Sequence, residues 1–341
     1  MNGTVVYHGQ ENQTMNNFSA TSNINTTLTL VWTSGTRFSL FILLSVLVTN
    51  SGVLYLFFRH PSLFTPFTVY VLNLLFANIL RTLLCYPLEL INSLYDTWWS
   101  GWTSCTVSLY GTWVMGAAMC NAHMLIALNR LWAITFPHSY RTRHTARFAI
   151  LTCLAMWIYV HTGLLPGVIM DAMWYRKHLD TDGCMLNTAS QMTWSYTIQA
   201  PYYALPYMVV ILVYPTVCYK LWRTSHPRIG PVSASVPAQA TNSRAGAESR
   251  TERTNAIGRS RAERNGGALL ILTSMTFTML VCYGPMLIFY MAAVYWDLYI
   301  PGLSPVGSVF YELMAVLDPL LFALTIGDLR RVFRQVYCGC T

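Results

Sequence analysis

The chain has few charged residues and almost no lysine. Only 10% of its 341 residues are Asp, Glu, Lys or Arg, and just two are lysine, Lys177 and Lys220. Soluble domains carry roughly 25% charged residues. A soluble domain with so little charge lacks the side chains needed to cover its surface, so an ordinary soluble fold is excluded. Apolar residues make up 54% of the chain, which indicates a protein dissolved mostly in lipid.

Seven long apolar stretches fill most of the chain. Each is near or above the roughly 20 residues that a helix needs to cross about 30 Å of hydrocarbon. Their length and period favour helices over barrel strands. The predicted spans are 38–58, 66–94, 104–133, 148–170, 194–222, 267–295 and 302–326. The predicted fold is therefore an all-α membrane protein, a seven-transmembrane helix bundle followed by a short amphipathic eighth helix.

The distribution of positive charge predicts the orientation of this bundle. Sixteen of the 21 Lys and Arg residues lie in the loops, helix ends and tail of one side, which the positive-inside rule makes cytoplasmic. The net charge of +8 is then a topology signal, and nucleic acid is not an expected partner. Four glycosylation sequons in the amino-terminal tail independently predict an extracellular amino terminus, at Asn2, Asn12, Asn17 and Asn25. We expect a multi-pass protein of the plasma membrane.

Composition divides the chain into three parts. Residues 1–36 are a polar extracellular tail, 37–327 the helical bundle, and 328–341 an amphipathic helix with a short cytoplasmic tail. Inside the bundle, residues 224–265 are rich in Ser, Ala, Pro, Gly and Arg. Such a segment cannot bury enough apolar surface to fold, and it predicts a disordered cytoplasmic loop.

The nine cysteines fall into three groups. Five lie within spans and are interpreted as small packing residues. Cys105 and Cys184 lie on the extracellular side, where disulfides persist; a bond between them would tie the loop 171–193 to the third span, and two free thiols are the alternative. Cys338 and Cys340 follow the amphipathic segment and are candidates for palmitoylation, which would hold that helix against the inner leaflet.

An arginine lies near the inner end of the third span. The 25 residues from Cys105 to Arg130 correspond to about 37 Å of helix. The same helix therefore carries a cysteine at its outer rim and an arginine at its inner rim. An arginine in this position can also be a simple interface anchor.

Short motifs on all seven spans resemble those of the rhodopsin-like (class A) G-protein-coupled receptors, from about residue 37 to 337. The run Asn129-Arg130-Leu131-Trp132 resembles the Asp-Arg-Tyr motif that closes helix 3 of that family. Cys282-Tyr283-Gly284-Pro285 is similar to its helix 6 Cys-Trp-x-Pro, and Asp318-Pro319-Leu320-Leu321-Phe322 to its helix 7 Asn-Pro-x-x-Tyr. The remaining matches are Asn50 in helix 1, 72–78 in helix 2, Trp157 in helix 4, and Pro206 with Tyr214 in helix 5.

The resemblance implies a signalling receptor rather than an enzyme, without a cofactor or a metal. Its implied partners are an extracellular ligand, a heterotrimeric G protein, membrane lipids and, as a candidate, arrestin. The residues that it assigns to activation and G-protein coupling are Asn78, Asn129, Arg130, Tyr214, Tyr283, Asp318, Pro319 and Phe322. A transporter or channel that uses intramembrane charges is the alternative function. His123 and His161 are interpreted as isolated, packed core residues.

Several positions depart from the family pattern. Asn78 and Asp318 exchange the family's acid and amide, and we expect them still to hydrogen-bond between helices 2 and 7. Met119 replaces a polar ligand of the family's sodium pocket, so we expect sodium binding to be weak or absent. Asn129 replaces the acid that pairs with the arginine in the family. Loss of that bond should destabilise the inactive state by about 1–3 kcal/mol, which predicts ligand-independent signalling. Phe322 lacks the hydroxyl through which the family's tyrosine stabilises the active state, so this departure should reduce ligand-independent signalling.

The resemblance also implies that a set of side chains faces an outer cavity. They are Arg81, Glu89, Thr112, Trp113, Gln199, Tyr202, Tyr283, Tyr290, Ser308 and Glu312. Arg81 and Glu312 are either a structural ion pair or ligand contacts. Thr112 stands where amine receptors carry aspartate, and no lysine in helix 7 is available to retinal, so a peptide or lipid-like ligand is favoured. Aspartates in the outer loops either attract a cationic peptide or are solvated surface charges.

Overall fold

The computed structural model describes residues 33–94, 98, 100–225, 269–296, 298, 303–337 and 339. Within these residues seven helices are long and apolar enough to cross a membrane. They are α1 (Ser34–Arg59), α2 (Thr68–Asn92), α3 (Gly101–Thr135), α4 (Ala146–Tyr175), α5 (Met192–Lys220), α6 (Leu269–Trp296) and α7 (Leu303–Thr325). An eighth helix, α8 (Gly327–Tyr337), follows α7. Short helical turns in the loops are Pro61–Leu63, Pro137–Arg143 and Leu179–Asp182.

The seven predicted spans are confirmed, and the largest difference is at the end of α4, which runs to Tyr175 instead of 170. That end is extended by a π-helical turn, which hydropathy does not reveal. Some predictions lie outside the described residues and stay predictions: the sequons at Asn2, Asn12, Asn17 and Asn25, the acylation sites Cys338 and Cys340, and most of the loop 224–265.

Polar side chains join helices across the bundle. The Asn50 amide of α1 donates to the carbonyl of Ala315 in α7 at 3.0 Å. The Trp157 indole of α4 donates to the Asn73 side chain of α2 at 2.7 Å. Because lipid offers no hydrogen-bond partner, such groups must find one inside the protein. Three of these residues belong to the motifs recognised in the sequence, and their bonds set the positions of α1, α2, α4 and α7.

Four of the described helices contain a π-helical turn, which has one more residue than an α-helical turn. These turns are Gly111–Met115 in α3, Asp171–Tyr175 in α4, Ala200–Ala204 in α5 and Met279–Tyr283 in α6. Such turns are rare and occur mostly at functional sites. Three of the four, in α3, α5 and α6, contribute residues to the cavity described below.

Side chains from the facing helix bond to the π turns of α3 and α5. The Asn121 amide of α3 donates to the carbonyl of Tyr202 at 3.1 Å, and the Tyr203 hydroxyl of α5 donates to the carbonyl of Trp113 at 2.8 Å. A π turn interrupts the regular ladder of helical hydrogen bonds, so its carbonyl groups take other partners. The two bonds fix the register of α5 against α3.

The loop between α4 and α5 is held down at two places. The disulfide between Cys105 and Cys184 forms, so the alternative of two free thiols is wrong. Asp171 and Arg176 form an ion pair at 2.8 Å with both side chains fully buried, and Arg176 also donates to the hydroxyl of Thr106 at 2.6 Å. Neither alternative for the aspartates of the outer loops fits Asp171, because its charge is already paired inside the protein.

The helix α8 is amphipathic, as predicted. Leu329 is fully buried against the bundle, whereas the three arginines of the helix are exposed: Arg330, Arg331 and Arg334. The Tyr337 hydroxyl donates to the carbonyl of Gly52 in α1 at 3.1 Å. This distribution suits a helix that lies along a membrane surface, with its cationic face towards anionic headgroups.

Candidate functional site

A cavity of about 250 Å³ lies between α2, α3, α5, α6 and α7, in the half of the bundle that carries the disulfide. Nine of the ten residues predicted to contact a ligand line it: Arg81, Glu89, Thr112, Trp113, Gln199, Tyr283, Tyr290, Ser308 and Glu312. The family alignment therefore placed residues from five helices on one concave surface. Ligand binding by them stays a prediction.

The tenth residue, Tyr202, does not line the cavity. Its ring stacks on Tyr159 of α4, with centroids 4.5 Å apart, and the next residue, Tyr203, takes the place in the cavity wall. The cause is the π turn Ala200–Ala204, whose extra residue rotates the outer part of α5 relative to a regular helix. Sequence spacing gives no sign of such a turn, so the prediction for Tyr202 was wrong.

Three further lining residues were also missed, Met286, Leu287 and Tyr311. Tyr311 directly precedes Glu312, and both reach the cavity because it is wide enough to meet adjacent residues of α7. Met286 and Leu287 follow Pro285 in α6. Their apolar character gave no signal, since most residues of α6 are apolar and any of them suits lipid or core equally well.

Arg81 is held in a slot between two tyrosines. Its guanidinium donates to the hydroxyl of Tyr86 at 2.5 Å, and its central carbon lies 4.9 Å from the ring centroid of Tyr86 and 4.5 Å from that of Tyr311. Only 4% of Arg81 is exposed. In the described chain no ion pair within 4.0 Å joins it to Glu312, so the structural ion pair considered from the sequence is not formed. The faces of the rings stabilise the buried cation instead.

Two carboxylates face the same cavity. Glu89 and Glu312 are both half-buried. The Cys85 thiol donates to Glu89 at 2.9 Å and lies 3.1 Å from the hydroxyl of Thr112. Cys85 was predicted to be only a packing residue, but it links α2 to α3 beside the cavity. It lies at the point where α2 is interrupted before Pro87.

Aromatic rings form the deeper wall of the cavity. Trp113 lies 6.2 Å from Tyr203, edge to face, and 5.7 Å from Tyr290. Tyr283 and Tyr311 are 5.7 Å apart at centroid level and are almost fully buried. These spacings are those of favourable aromatic pairs. The cavity therefore combines an aromatic interior with a small number of charged groups, as ligand sites do.

The end of α3 that lies away from the cavity is arranged around Asn129 and Arg130. The Asn129 amide lies 2.8 Å from Nε2 of His144 and accepts from the hydroxyl of Tyr140 at 3.1 Å. Burial and the positive charge of Arg130 lower the pKa of His144, so its ring is neutral at pH 7 and Nε2 can accept from the amide. The guanidinium carbon of Arg130 lies 3.2 Å from the ring centroid of Phe67.

In this arrangement the side chain of Asn129 bonds to the segment between α3 and α4. The short helix Pro137–Arg143 folds back and carries Tyr140 and His144 to Asn129, and their rings stack at 4.3 Å.

Comparison with known proteins agrees with these features. The family model for the 7 transmembrane receptor (rhodopsin family) matches residues 49–322, most of the chain. The chain belongs to this family. It is therefore a multi-pass membrane receptor that signals through G proteins, and not an enzyme.

Individual relatives are distant. The human KiSS-1 receptor is 23% identical over 310 residues, which cover 86% of this chain and 71% of that receptor. A melanopsin of Branchiostoma belcheri is 22% identical over 297 residues, covering 85% of this chain and 41% of the melanopsin. The alpha-2B adrenergic receptor of Procavia capensis habessinica is 26% identical over 203 residues, covering 58% of this chain and 50% of that receptor. Relatives with such different names leave the ligand open.

The centre of this rhodopsin-family receptor contains a buried contact between α3 and α7 that the sequence did not predict. Nε2 of His123 lies 3.1 Å from a carboxylate oxygen of Asp318, and the two side chains are 0% and 2% exposed. Nδ1 of His123 lies 2.8 Å from the carbonyl of Met119, which can only accept a hydrogen bond. His123 is buried, but it is not the isolated core residue that was predicted.

The expected bond between Asn78 and Asp318 is absent from the structure. Asn78 is fully buried, and neither atom of its amide has a hydrogen-bond partner among the described residues. Asp318 faces His123 instead, and charge attraction explains this choice, because an amide cannot compensate a buried carboxylate as an imidazolium can.

The residues present do not fit the sodium site of the family. Met119 supplies no oxygen ligand from its side chain, and His123 already lies against Asp318. The described residues hold no group of three or more His, Cys, Asp or Glu that suits a metal ion. The other motif residues are inside the bundle: Phe322 is 1% exposed, Pro319 is buried within α7, and Tyr214 is half-buried in α5.

Proposed function

We propose that this receptor binds an extracellular ligand in the outer cavity and transmits the signal through α3 to a G protein at its inner end. The observation that carries the proposal is that one helix holds both sites: Thr112 and Trp113 line the cavity, and Asn129 and Arg130 lie near the far end of the same helix. This assignment takes the amino terminus as extracellular, as the charge distribution predicts.

The mechanism that we propose is a population shift. A ligand that binds one arrangement of the cavity wall better than another favours the corresponding arrangement of the inner surface. Tyr283 belongs to the cavity wall, and the contact between His123 and Asp318 lies deeper on the neighbouring helices. Binding at the two ends of the bundle is then coupled in both directions.

The ligand that the cavity suits best is part of a peptide or a lipid-like molecule. Its volume of about 250 Å³ lies below the roughly 300–1,000 Å³ of sites that bury a whole drug-sized ligand. Thr112 offers no carboxylate to a biogenic amine, and α7 has no lysine for retinal. Although a melanopsin is among the relatives, a light-absorbing Schiff base is not proposed.

We further propose that the receptor signals without ligand. In the described part of the chain no carboxylate lies within 4.0 Å of Arg130, and the amide of Asn129 bonds to His144 and Tyr140 instead. An arginine without an acidic partner is less strongly held in an inactive arrangement.

A panel of G-protein dissociation assays in cells tests the proposed function, run first without ligand and then with pooled peptides and pooled lipids. We expect a response through at least one G protein, and we expect Trp113→Ala to reduce the ligand-dependent part. Leu212→Ala, at an exposed position of α5, is the matched control and should respond as the wild type does. A wild-type receptor that is present at the surface and silent with every G protein and every pool contradicts the proposal.

A further inference from the structure

We infer that the cavity takes a positively charged organic group, such as the guanidinium of a basic peptide side chain, between Glu89 and Glu312. The inference rests on the proposed function, because it names the ligand class for the same cavity. It selects a basic peptide over a lipid-like ligand.

The three charged side chains that face the cavity differ in how accessible they are to a ligand. Its lining contains one cation, Arg81, and two carboxylates, Glu89 and Glu312. Arg81 is 4% exposed and already engaged by a hydroxyl and two ring faces, whereas both carboxylates are half-buried and reach the cavity surface. A ligand therefore meets negative charge first.

The described outer loop supplies no counter-ion for these carboxylates. Arg176 is bound to Asp171 in a buried pair, and Lys177 lies 3.6 Å from Asp182. Neither cation lies within 4.0 Å of Glu89 or Glu312. Arg81 shares the cavity with both carboxylates but forms no ion pair within 4.0 Å with either of them. Partly buried carboxylates without such a close partner gain free energy when a cationic ligand group pairs with them.

The remaining wall also favours a cation. Trp113 and Tyr290 present aromatic rings beside Glu89 and Glu312, and ring faces attract ammonium and guanidinium groups. An anionic ligand would have to displace Tyr86 from Arg81 and approach two carboxylates. The cavity size of about 250 Å³ suits one long side chain rather than a whole peptide.

The test compares three probes that differ in one side chain: N-acetyl-Phe-Arg amide, N-acetyl-Phe-citrulline amide and N-acetyl-Phe-Glu amide. Citrulline keeps the shape of arginine and about three of its five N–H donors, but a carbonyl oxygen replaces one nitrogen and the group has no charge. Binding to the purified full-length receptor in lipid nanodiscs is measured by saturation-transfer NMR, without a G protein. We expect the arginine probe to bind about tenfold or more tightly than the citrulline probe, as expected for one charge-assisted hydrogen bond.

Three variants locate the binding. Glu89→Gln and Glu312→Gln should each weaken the arginine probe by about 10- to 100-fold and leave the citrulline probe unchanged. Asp180→Asn, at an exposed acid of the outer loop, is the matched control and should change neither. If a glutamine variant fails to fold, the order of the three probes on the wild type decides alone.

Equal binding of the arginine and citrulline probes, tightest binding of the glutamate probe, no binding by any probe, or full binding to both glutamine variants would each overturn the inference. These results are separable from the proposed function. A receptor that activates a G protein but does not distinguish arginine from citrulline refutes only the cationic ligand. A receptor that binds the arginine probe but activates no G protein refutes only the proposed function.

Discussion

The buried contact between His123 and Asp318 leads to a prediction about stability. Replacing His123 by leucine puts an apolar side chain of similar size at this position of α3 and leaves the carboxylate of Asp318 buried without a partner. Both side chains are at most 2% exposed, so water cannot take the place of the imidazole. Removing one partner of a buried ion pair costs about 3–5 kcal/mol.

The geometry also sets the size of the coupling between the two residues. Because Nδ1 of His123 faces a carbonyl, it carries a proton, and a second proton on Nε2 makes the ring an imidazolium. Two unit charges 3.1 Å apart attract by about 5 kcal/mol at an effective dielectric constant of about 20. A neutral ring with its proton on Nδ1 has only a lone pair on Nε2 and could donate no hydrogen bond to the carboxylate.

A double-mutant cycle measures this coupling. The free energy of unfolding of the purified receptor is obtained by denaturant titration for the wild type, His123→Leu, Asp318→Asn and the double variant. We expect each single variant to be destabilised and the double variant to be less destabilised than the more affected single one. Effects that add within about 0.5 kcal/mol would show that the two residues do not interact, and would refute the reasoning.

Three further predictions concern other parts of the molecule. Asn129→Asp restores an acid beside Arg130 and should lower ligand-independent nucleotide exchange; an unchanged baseline at equal surface expression counts against the role given to Asn129. The lowered pKa of His144 means that the native state favours the neutral ring. The stability that this ring contributes is therefore complete above the unfolded pKa of about 6.5 and decreases as the pH falls below that value. The thermal midpoint of His144→Gln should depend less on pH than that of the wild type, and identical pH profiles for the two proteins would contradict this role of His144. Tyr203→Phe removes the hydrogen bond to α3 and alters the cavity wall, whereas Tyr202→Phe alters only a contact with α4. Binding of the arginine probe should weaken for Tyr203→Phe and stay unchanged for Tyr202→Phe. The reverse result would show that Tyr202, and not Tyr203, faces the cavity.

The sequence predicted the architecture well, because the features that determine it are local and long. Twenty apolar residues specify a membrane helix whatever their neighbours are, and the motif residues Asn50 and Trp157 make bonds between helices that such residues are expected to make. Nine of the thirteen residues that line the cavity were predicted, because the resemblance to the family indicates one inward face on each helix.

The errors arose where local geometry or distant partners decide. Tyr202 was exchanged for Tyr203 because one π turn in α5 shifts the register by a residue. The partner of Asp318 was missed because His123 lies on another helix, and an isolated histidine in an apolar run gives no sign of what it faces. The pairing of Arg81 with rings rather than with an acid depends in the same way on three-dimensional proximity.

Nucleotide exchange on purified G-protein heterotrimers, stimulated by the purified receptor in nanodiscs, measures directly whether the inner end of α3 drives signalling. The wild type should accelerate exchange on at least one heterotrimer, and Arg130→Ala should abolish that acceleration while the protein stays monodisperse and binds the arginine probe. An Arg130→Ala receptor that stimulates exchange as well as the wild type would contradict the account.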